Sequence, residues 1–151
     1  MSREDVELVM STLVPDGVDL VQLFGDAAIW DAQAEATAGC YHEDFECRMV
    51  RFDGEANYRG LEGFRDAWRE WLAPWASYRV ERHDVLDLED QVWMPAYNLG
   101  RLHGSTEEIR MDGVAVFTFR EGKIARLELY VDRTEAYADH AEALKAVGLE
   151  E

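Results

Sequence analysis

The chain has 151 residues, enough for one domain with its own core, and 48% of them are hydrophobic, so the composition indicates a folded protein. It carries 32 Asp and Glu residues against 15 Lys and Arg residues, a formal net charge of -17 at pH 7. Such a polyanion repels phosphate backbones and anionic lipid headgroups, which argues against nucleic acids and membrane surfaces as partners. We interpret the charge as an aid to solubility.

The N-terminus and the cysteines predict the cellular compartment. Residues 1–10 are charged and lack a long apolar core, so no signal peptide is predicted. No run of about 18 apolar residues predicts a transmembrane span. Cys40 and Cys47 form neither a disulfide framework nor a CxxC motif. We therefore expect a single cytoplasmic domain over residues 1–151, with both thiols reduced.

The first part of the chain is predicted to be helical. An apolar stripe predicts a helix over residues 2–13, and a Pro-Asp-Gly turn follows it. A short apolar helix is expected over residues 18–24. Asp26 is the expected cap of a third helix, residues 27–38, which ends before a glycine.

A strand and a tryptophan-rich helix come next. Residues 45–52 alternate in the manner of a strand, and Asp53-Gly54 predicts a turn. A helix is predicted over residues 61–75, with Pro74 at its end. Apolar residues three and four apart would share one face of it, namely Leu61, Phe64, Trp68, Trp71 and Trp75.

The second half of the chain has the period of strands. Strands are predicted over residues 78–88, 92–103, 109–119 and 123–131, and Glu121-Gly122 predicts the last hairpin turn. Within the second of these strands, Pro95 predicts a bulge or an edge position. A final helix, capped by Asp132 or Thr134, would contain Ala136, Ala143, Leu144 and Val147.

This order predicts an α+β fold. Consecutive strands at this spacing favour antiparallel hairpins over parallel crossovers. We expect a curved antiparallel sheet wrapped around the N-terminal helices, a cone-shaped half-barrel with a central pocket.

The element order and four local strings resemble the SnoaL-like polyketide cyclase group of the nuclear transport factor 2-like superfamily. The strings are Tyr41-His42-Glu43-Asp44-Phe45-Glu46, Tyr58-Arg59-Gly60 with Gly63 and Trp68, residues 114–124, and Tyr130-Val131-Asp132-Arg133 with Glu135-Ala136. The resemblance begins near residue 18. It implies the fold, but the fold hosts many activities, so it does not by itself imply a reaction.

Three chemistries implied by the resemblance need pocket residues that this chain lacks. The carboxylate base of ketosteroid isomerase-like members would fall on Met49, or on Cys47 after a shift of two. The histidine and aspartate of polyketide cyclase-like members would fall on Ala115 and Leu129. The arginine and aspartate of limonene epoxide hydrolase-like members would fall in Ala96-Tyr97-Asn98. None of these positions carries the required acid or base.

The register of the last strand decides whether an acid faces the pocket. Leu127, Leu129 and Val131 form one face, and burying three such side chains is worth roughly 5 kcal/mol. A shift of one residue would instead turn Glu128, Tyr130 and Asp132 inward and bury charge. We expect the apolar face to line the pocket.

The candidate residues follow from these faces. A ligand pocket is expected to be apolar with few polar anchors, and its predicted lining is Trp30, Met49, Trp71, Asn98, Met111, Ala115 and Leu129. If the register shifts, the catalytic candidates are Asp132, Tyr130 and His83. His83 and its neighbour Asp84 point to opposite faces of a strand, so they do not form a pair.

Metals and cofactors are not predicted. The four histidines lack HxH or HExxH spacing, and no glycine-rich nucleotide motif is present. The leading hypothesis is a SnoaL-like protein that binds a small hydrophobic or aromatic molecule and pairs into a homodimer through the outer sheet face. Two alternatives stay open: a cofactor-independent lyase, isomerase, cyclase, dehydratase or hydrolase, and a dimeric interaction domain with a collapsed pocket.

Overall fold

The computed structural model describes residues 18–82, 84–88 and 91–142. Within these ranges, no helix has both the length and the apolar character needed to span a membrane. The helix predicted at residues 2–13, the turn after it, His83, and the end of the predicted C-terminal helix lie outside the described residues.

Two short helices open the described part of the chain. Helix α1 spans Leu20–Gly25, and helix α2 spans Ala27–Thr37, followed by a 3-10 turn at Ala38–Cys40. Both helices were predicted from the sequence, and their bounds agree to within two residues.

Aspartates cap both helices. The Asp19 carboxylate accepts a hydrogen bond from the Val21 backbone N–H at 3.0 Å, and Asp26 accepts one from the Ala28 N–H at 2.9 Å. Such caps satisfy backbone donors that have no partner within the helix. The same Asp19 oxygen also accepts from the backbone N–H of Tyr78 at 3.2 Å, so it ties α1 to the sheet.

Helix α3 spans Gly60–Leu72 and buries Phe64, Ala67, Trp68 and Leu72. It packs against the first two strands and α1. It ends three residues earlier than predicted, because Trp75 begins a strand. Pro74 lies between the two elements, where its missing N–H and its restriction of the preceding residue disfavour further helix.

Within the described residues, seven strands form a single sheet. Their bounds are β1 Tyr41–Arg51, β2 Gly54–Arg59, β3 Trp75–Arg82, β4 Leu86–Leu88, β5 Gln91–Leu102, β6 Ile109–Arg120 and β7 Lys123–Tyr130. The spatial order is β2-β1-β7-β6-β5-β3, and β4 also pairs with β5. The predicted α+β class with helices and a curved, unclosed sheet is confirmed. One neighbouring pair, β1 and β7, runs parallel, so the sheet is mixed rather than purely antiparallel.

The long strand predicted at residues 78–88 is divided into β3 and β4. On β5, the pairing with β3 ends at Ala96 and the pairing with β4 begins at Trp93. Pro95 lies between these two partners, where a residue without an N–H costs no ladder hydrogen bond. It stays in register with Val114 on the other side, so it marks an edge-like position and not a bulge in that ladder.

Helix α4 spans Arg133–Asp139 and is capped by Asp132, whose Oδ1 accepts from the Thr134 N–H at 3.0 Å. It lies on the outer, convex face of the sheet. There Ala136 joins a second apolar cluster with Val50, Trp93, Val114, Val116 and Tyr130. The main core lies on the opposite, concave face, against α1, α2 and α3.

Candidate functional site

The concave face of the sheet and helix α3 enclose a small cavity. Its volume is about 60 Å³. The described residues that line it are Phe64, Trp68, Trp71, Tyr78, Val80, Met94, Ala96, Asn98, Val114, Ala115, Phe117, Leu127, Leu129, Tyr130 and Val131. None of these side chains carries a charge at neutral pH, so the wall offers packing and very few polar contacts.

Strand alternation explains why the wall is apolar. Leu127, Leu129 and Val131 of the last strand and its extension all line the cavity. Leu129 pairs with Ala115, and Ala115 pairs with Met94, so side chains on three strands point the same way. This is the register that the apolar pattern of the last strand predicts. It places Glu128 on the other face of the sheet.

An aromatic group closes the side opposite the sheet. Trp68 stacks on Phe24 with ring centroids 5.4 Å apart and planes 12° apart, and Phe64 meets Phe24 edge to face at 5.7 Å. Offset and edge-to-face pairs of this kind add to the stabilisation from area burial. Trp30 packs into the same group, 5.4 Å from Phe24. The group holds α1, α2 and α3 together and gives the cavity a rigid roof.

Asn98 brings an amide to the wall. It is half-buried on β5 and pairs with Val80 on one side and Met111 on the other. A glycine on β6 makes room for it: a Cβ at Gly113 would lie 2.4 Å from Asn98 Nδ2 and 2.6 Å from the Tyr130 carbonyl oxygen. A side chain at residue 113 would therefore displace the amide, so Gly113 fixes where Asn98 lies.

The predicted lining residues divide into two groups. Trp71, Asn98, Ala115 and Leu129 line the cavity. Trp30, Met49 and Met111 are buried but lie outside the lining. Trp30 belongs to the aromatic roof, and Met49 accepts a contact from Arg51 Nε at 3.3 Å through its sulfur.

Several lining residues were not singled out from the sequence. Trp68 was predicted only to lie on the apolar face of its helix, and in the structure it both packs on Phe24 and lines the cavity. Met94, Phe117 and Tyr78 are also in the lining. The period-two pattern that identified Ala115 and Asn98 contains these positions as well, so the signal was present. Burial raises the pKa of the Tyr78 phenol above its ordinary value, which keeps it protonated at neutral pH.

A cluster of charged and polar side chains lies on the outer face of the sheet, beneath α4. Glu128 Oε2 accepts hydrogen bonds from Arg48 Nη1 at 2.9 Å and from the Tyr130 hydroxyl at 2.8 Å. Its other oxygen, Oε1, lies 3.1 Å from His140 Nε2. Asp139 Oδ2 lies 3.1 Å from both Arg48 Nη1 and the Tyr130 hydroxyl. Strand alternation predicts that Glu128 and Tyr130 share a face, but no local pattern predicts that Arg48, Asp139 and His140 join them.

The electrostatics of this cluster make it a poor proton shuttle. Burial alone would raise the pKa of Glu128, but the hydrogen bonds from His140, Tyr130 and Arg48 lower it to about 2. Burial and the neighbouring Glu128 carboxylate raise the pKa of Tyr130 above its ordinary value. A general acid or base works best with a pKa near the working pH, and both groups are moved away from neutrality. The cluster instead holds α4 onto the sheet.

The three catalytic candidates do not meet at the cavity. The Asp132 carboxylate caps α4 and accepts from the Thr134 hydroxyl at 2.7 Å as well as from its N–H. Tyr130 borders the cavity, but its hydroxyl belongs to the outer cluster. His83 lies outside the described residues. Among the residues that the structure describes, no group of three or more His, Cys, Asp or Glu side chains is arranged to hold a metal ion.

The family follows from a match that covers most of the chain. A model of the SnoaL-like domain matches residues 20–127. This range includes α1 to α3 and nearly all of the sheet, and the chain therefore belongs to the SnoaL-like domain family. A search of curated proteins found no match to this sequence.

Several solved structures have a similar fold. TerC co-crystallised with polyporic acid has a TM-score of 0.60 and 18% identity, over 91% of this chain and 98% of that one. A protein with a ketosteroid isomerase-like fold from Catenulispora acidiphila DSM 44928, in complex with trimethylamine, has a TM-score of 0.58 and 14% identity, over 91% and 92%. A SnoaL-like polyketide cyclase candidate from Jannaschia sp. CCS1 has a TM-score of 0.54 and 17% identity, over 73% and 80%. At these identities the likeness establishes the fold.

Proposed function

We propose that this chain binds a small, uncharged and largely apolar organic molecule in the cavity between α3 and the sheet. The observation that carries the proposal is the composition of the wall. Among the described lining residues no side chain is charged, and Asn98 supplies a half-buried amide. Apolar walls with a few placed polar groups are typical of small-molecule sites, where the polar groups fix the orientation of the ligand.

The electrostatics support an uncharged ligand. An ion in this cavity would lose its hydration without gaining a partner charge from the wall. The net charge of -17 would also repel an anion on its approach. A neutral molecule with one hydroxyl or carbonyl group would gain a hydrogen bond from the Asn98 amide and leave the remaining wall in apolar contact.

The size of the cavity limits the ligand. A cavity of about 150 Å³ holds a benzene ring. The cavity found here, at about 60 Å³, is smaller than that. A ligand with one or two rings would therefore need side chains at the mouth to move, or would extend partly outside. Two structural neighbours hold organic molecules, polyporic acid in TerC and trimethylamine in the Catenulispora protein. Ligand binding on this fold therefore has precedent.

The alternatives make different predictions. An enzyme would need an acid or base inside the cavity, whereas the Tyr130 hydroxyl and the Asp132 carboxylate have partners elsewhere. A collapsed-pocket interaction domain would bind no ring-sized molecule at all. The homodimer through the outer sheet face stays a prediction, and α4 covers the part of that face around Trp93 and Val116. The cytoplasmic location also stays a prediction.

Binding of 2-naphthol, a neutral two-ring probe with one hydroxyl, tests the proposal. Trp68 and Trp71 line the cavity, so their fluorescence should report the titration. We expect saturable binding at one site with a Kd on the order of 100 µM. Ala115→Leu should fill the space and weaken binding at least tenfold, and the smaller Ala115→Val should weaken it less. Ala28→Leu, on the exposed face of α2, is the matched control and should bind like the wild type.

The role of Asn98 is tested with the same probe and with naphthalene, which lacks the hydroxyl. One neutral hydrogen bond should favour 2-naphthol about fivefold in the wild type. Asn98→Leu should remove this preference, and Asn57→Leu, at an exposed position of β2, should keep it. Absence of saturable binding, or equal binding by wild type and Ala115→Leu, would overturn the proposed function.

A further inference from the structure

The exposure of the lining side chains shows where the cavity opens to solvent. Most described lining residues are buried, but Trp71, Asn98 and Leu129 are only half-buried. They come from α3, β5 and β7, so they mark the side on which the cavity reaches solvent. A ligand that enters must pass the Trp71 ring, which is the largest of the three side chains.

A second aromatic ring lies over Trp71. Phe52 occupies the two-residue turn between β1 and β2 and is 67% exposed. Its ring centroid is 6.3 Å from that of Trp71, with the planes at 58°. Single exposed apolar side chains are common and need no explanation of their own. The contact with a residue of the mouth is what singles Phe52 out.

The hairpin that carries Phe52 is anchored at its base. Arg51 Nη2 donates to the Ala67 carbonyl oxygen at 3.0 Å and to the Tyr58 hydroxyl at 3.2 Å, and lies 3.4 Å from Glu70 Oε2. Tyr58 also donates to Glu70. These contacts fix the β1–β2 hairpin against α3. The Phe52 side chain extends beyond them, so it can rotate without displacing the hairpin.

We propose that Phe52 is a ligand-contacting gate residue, whose ring swings away from Trp71 to admit a flat aromatic ligand and then closes on the ligand's exposed face. This inference rests on the proposed function. A 60 Å³ cavity must widen to admit a ring. Separating Phe52 from Trp71 loses little buried surface, since Phe52 is mostly exposed already. Rings at the mouth and in the roof favour a planar aromatic ligand over a saturated one, because faces and edges of rings attract each other.

Binding rates of 2-naphthol measured by stopped-flow fluorescence test the gate. Phe52→Ala removes one aromatic contact with the ligand. 2-Naphthol should therefore dissociate from this variant about two- to tenfold faster than from the wild type. Phe52→Leu keeps the apolar bulk without the ring and should lie closer to Phe52→Ala than to the wild type. Ile29→Ala is the matched control, because Ile29 is another exposed apolar residue, 45% exposed, on α2.

A saturated probe of the same skeleton, decahydro-2-naphthol, tests the ligand class. Its affinity, measured by calorimetry, should change less than twofold in Phe52→Ala. If wild type and Phe52→Ala release 2-naphthol at the same rate, the gate is wrong and the proposed function stands. If both probes lose affinity equally in Phe52→Ala, the aromatic class is wrong. If the wild type binds neither probe, both the gate and the proposed function fail.

Discussion

Glu128→Gln tests the outer-face cluster and so the register of the sheet. Glu128 is 4% exposed and lies between Arg48, Tyr130 and His140. The substitution keeps the shape and a hydrogen-bond acceptor but removes the charge. It should therefore destabilise the fold through electrostatics without leaving a cavity.

The magnitude follows from the pKa of the carboxyl. Folding lowers the pKa of Glu128 from 4.5 to about 2, because the hydrogen bonds to its charged form outweigh the effect of burial. A depressed pKa stabilises the folded state above the unfolded pKa, and this stability is lost as the pH falls through the folded pKa. The contribution is on the order of 3 kcal/mol at pH 7, and about 1 kcal/mol of it remains at pH 3.

Urea unfolding of wild type and Glu128→Gln at pH 7, 5, 4 and 3 measures this contribution. The difference in unfolding free energy should be on the order of 3 kcal/mol at pH 7 and should shrink below pH 4.5. Other carboxyl groups titrate in the same range, but they are common to both proteins and drop out of the difference. Glu46→Gln is the control, since Glu46 is an exposed residue on the same face whose ion pairs are 3.8 and 3.9 Å long.

The control should cost at most about 1 kcal/mol, as exposed ion pairs generally do. A stabilising role of the Glu128 charge is refuted if Glu128→Gln costs no more than Glu46→Gln at pH 7, or if the difference between wild type and Glu128→Gln does not change with pH. Either result would mean that the carboxyl is not held in its charged form by the residues around it.

Three further predictions concern packing, thiol chemistry and capping. Gly113→Ala should lower the unfolding free energy by about 1–3 kcal/mol and weaken 2-naphthol binding, because its Cβ would overlap the lining amide, while Gly39→Ala has open space and should change neither. Burial raises the pKa of the Cys47 thiol to about 12, so at pH 8 a disulfide reagent should label Cys40 first. Equally fast labelling of both thiols would contradict the structure. Asp19→Ala removes two hydrogen bonds and should cost about 1–3 kcal/mol in urea unfolding; a loss below about 0.5 kcal/mol would contradict this.

The features that the sequence predicts well depend on neighbours in the chain. The last strand alternates between apolar and polar residues, so burial of Leu127, Leu129 and Val131 determines its register. Asp26 caps α2 where a cap was expected. The Glu121-Gly122 turn has positive φ at both residues, 57° and 76°, which suits a tight hairpin and was predicted from the Gly.

The features that the sequence misses depend on distant residues or on ambiguous patterns. Strand β2, Gly54–Arg59, is mostly exposed, and its alternation consists only of the half-buried Ala56 and Tyr58, which is too short to identify a strand. Trp75 continues the helical spacing of the preceding tryptophans, yet it starts a strand. Its ring still meets Trp71 at 5.9 Å, which shows that one apolar position can serve either element.

The candidate site also has features that the sequence predicts and features that it misses. Alternation correctly indicated which face of each strand is apolar, and that face includes Ala115, Asn98 and Leu129. It could not say how deep along a face the cavity extends, so Met49 and Met111 were included although they lie outside its lining. The Glu128 cluster combines β1, β7 and α4, and only the folded arrangement brings these elements together.

Native mass spectrometry of the purified protein shows whether the cavity holds a neutral organic molecule, because it detects a bound molecule without any choice of probe. Spectra are recorded under native conditions and after denaturation for wild type and for Ala115→Leu, in which the cavity is filled. The proposed function predicts a small neutral organic molecule that is retained by the wild type and absent from the variant. Equal retention by both proteins, or a charged molecule in the wild type, would contradict it.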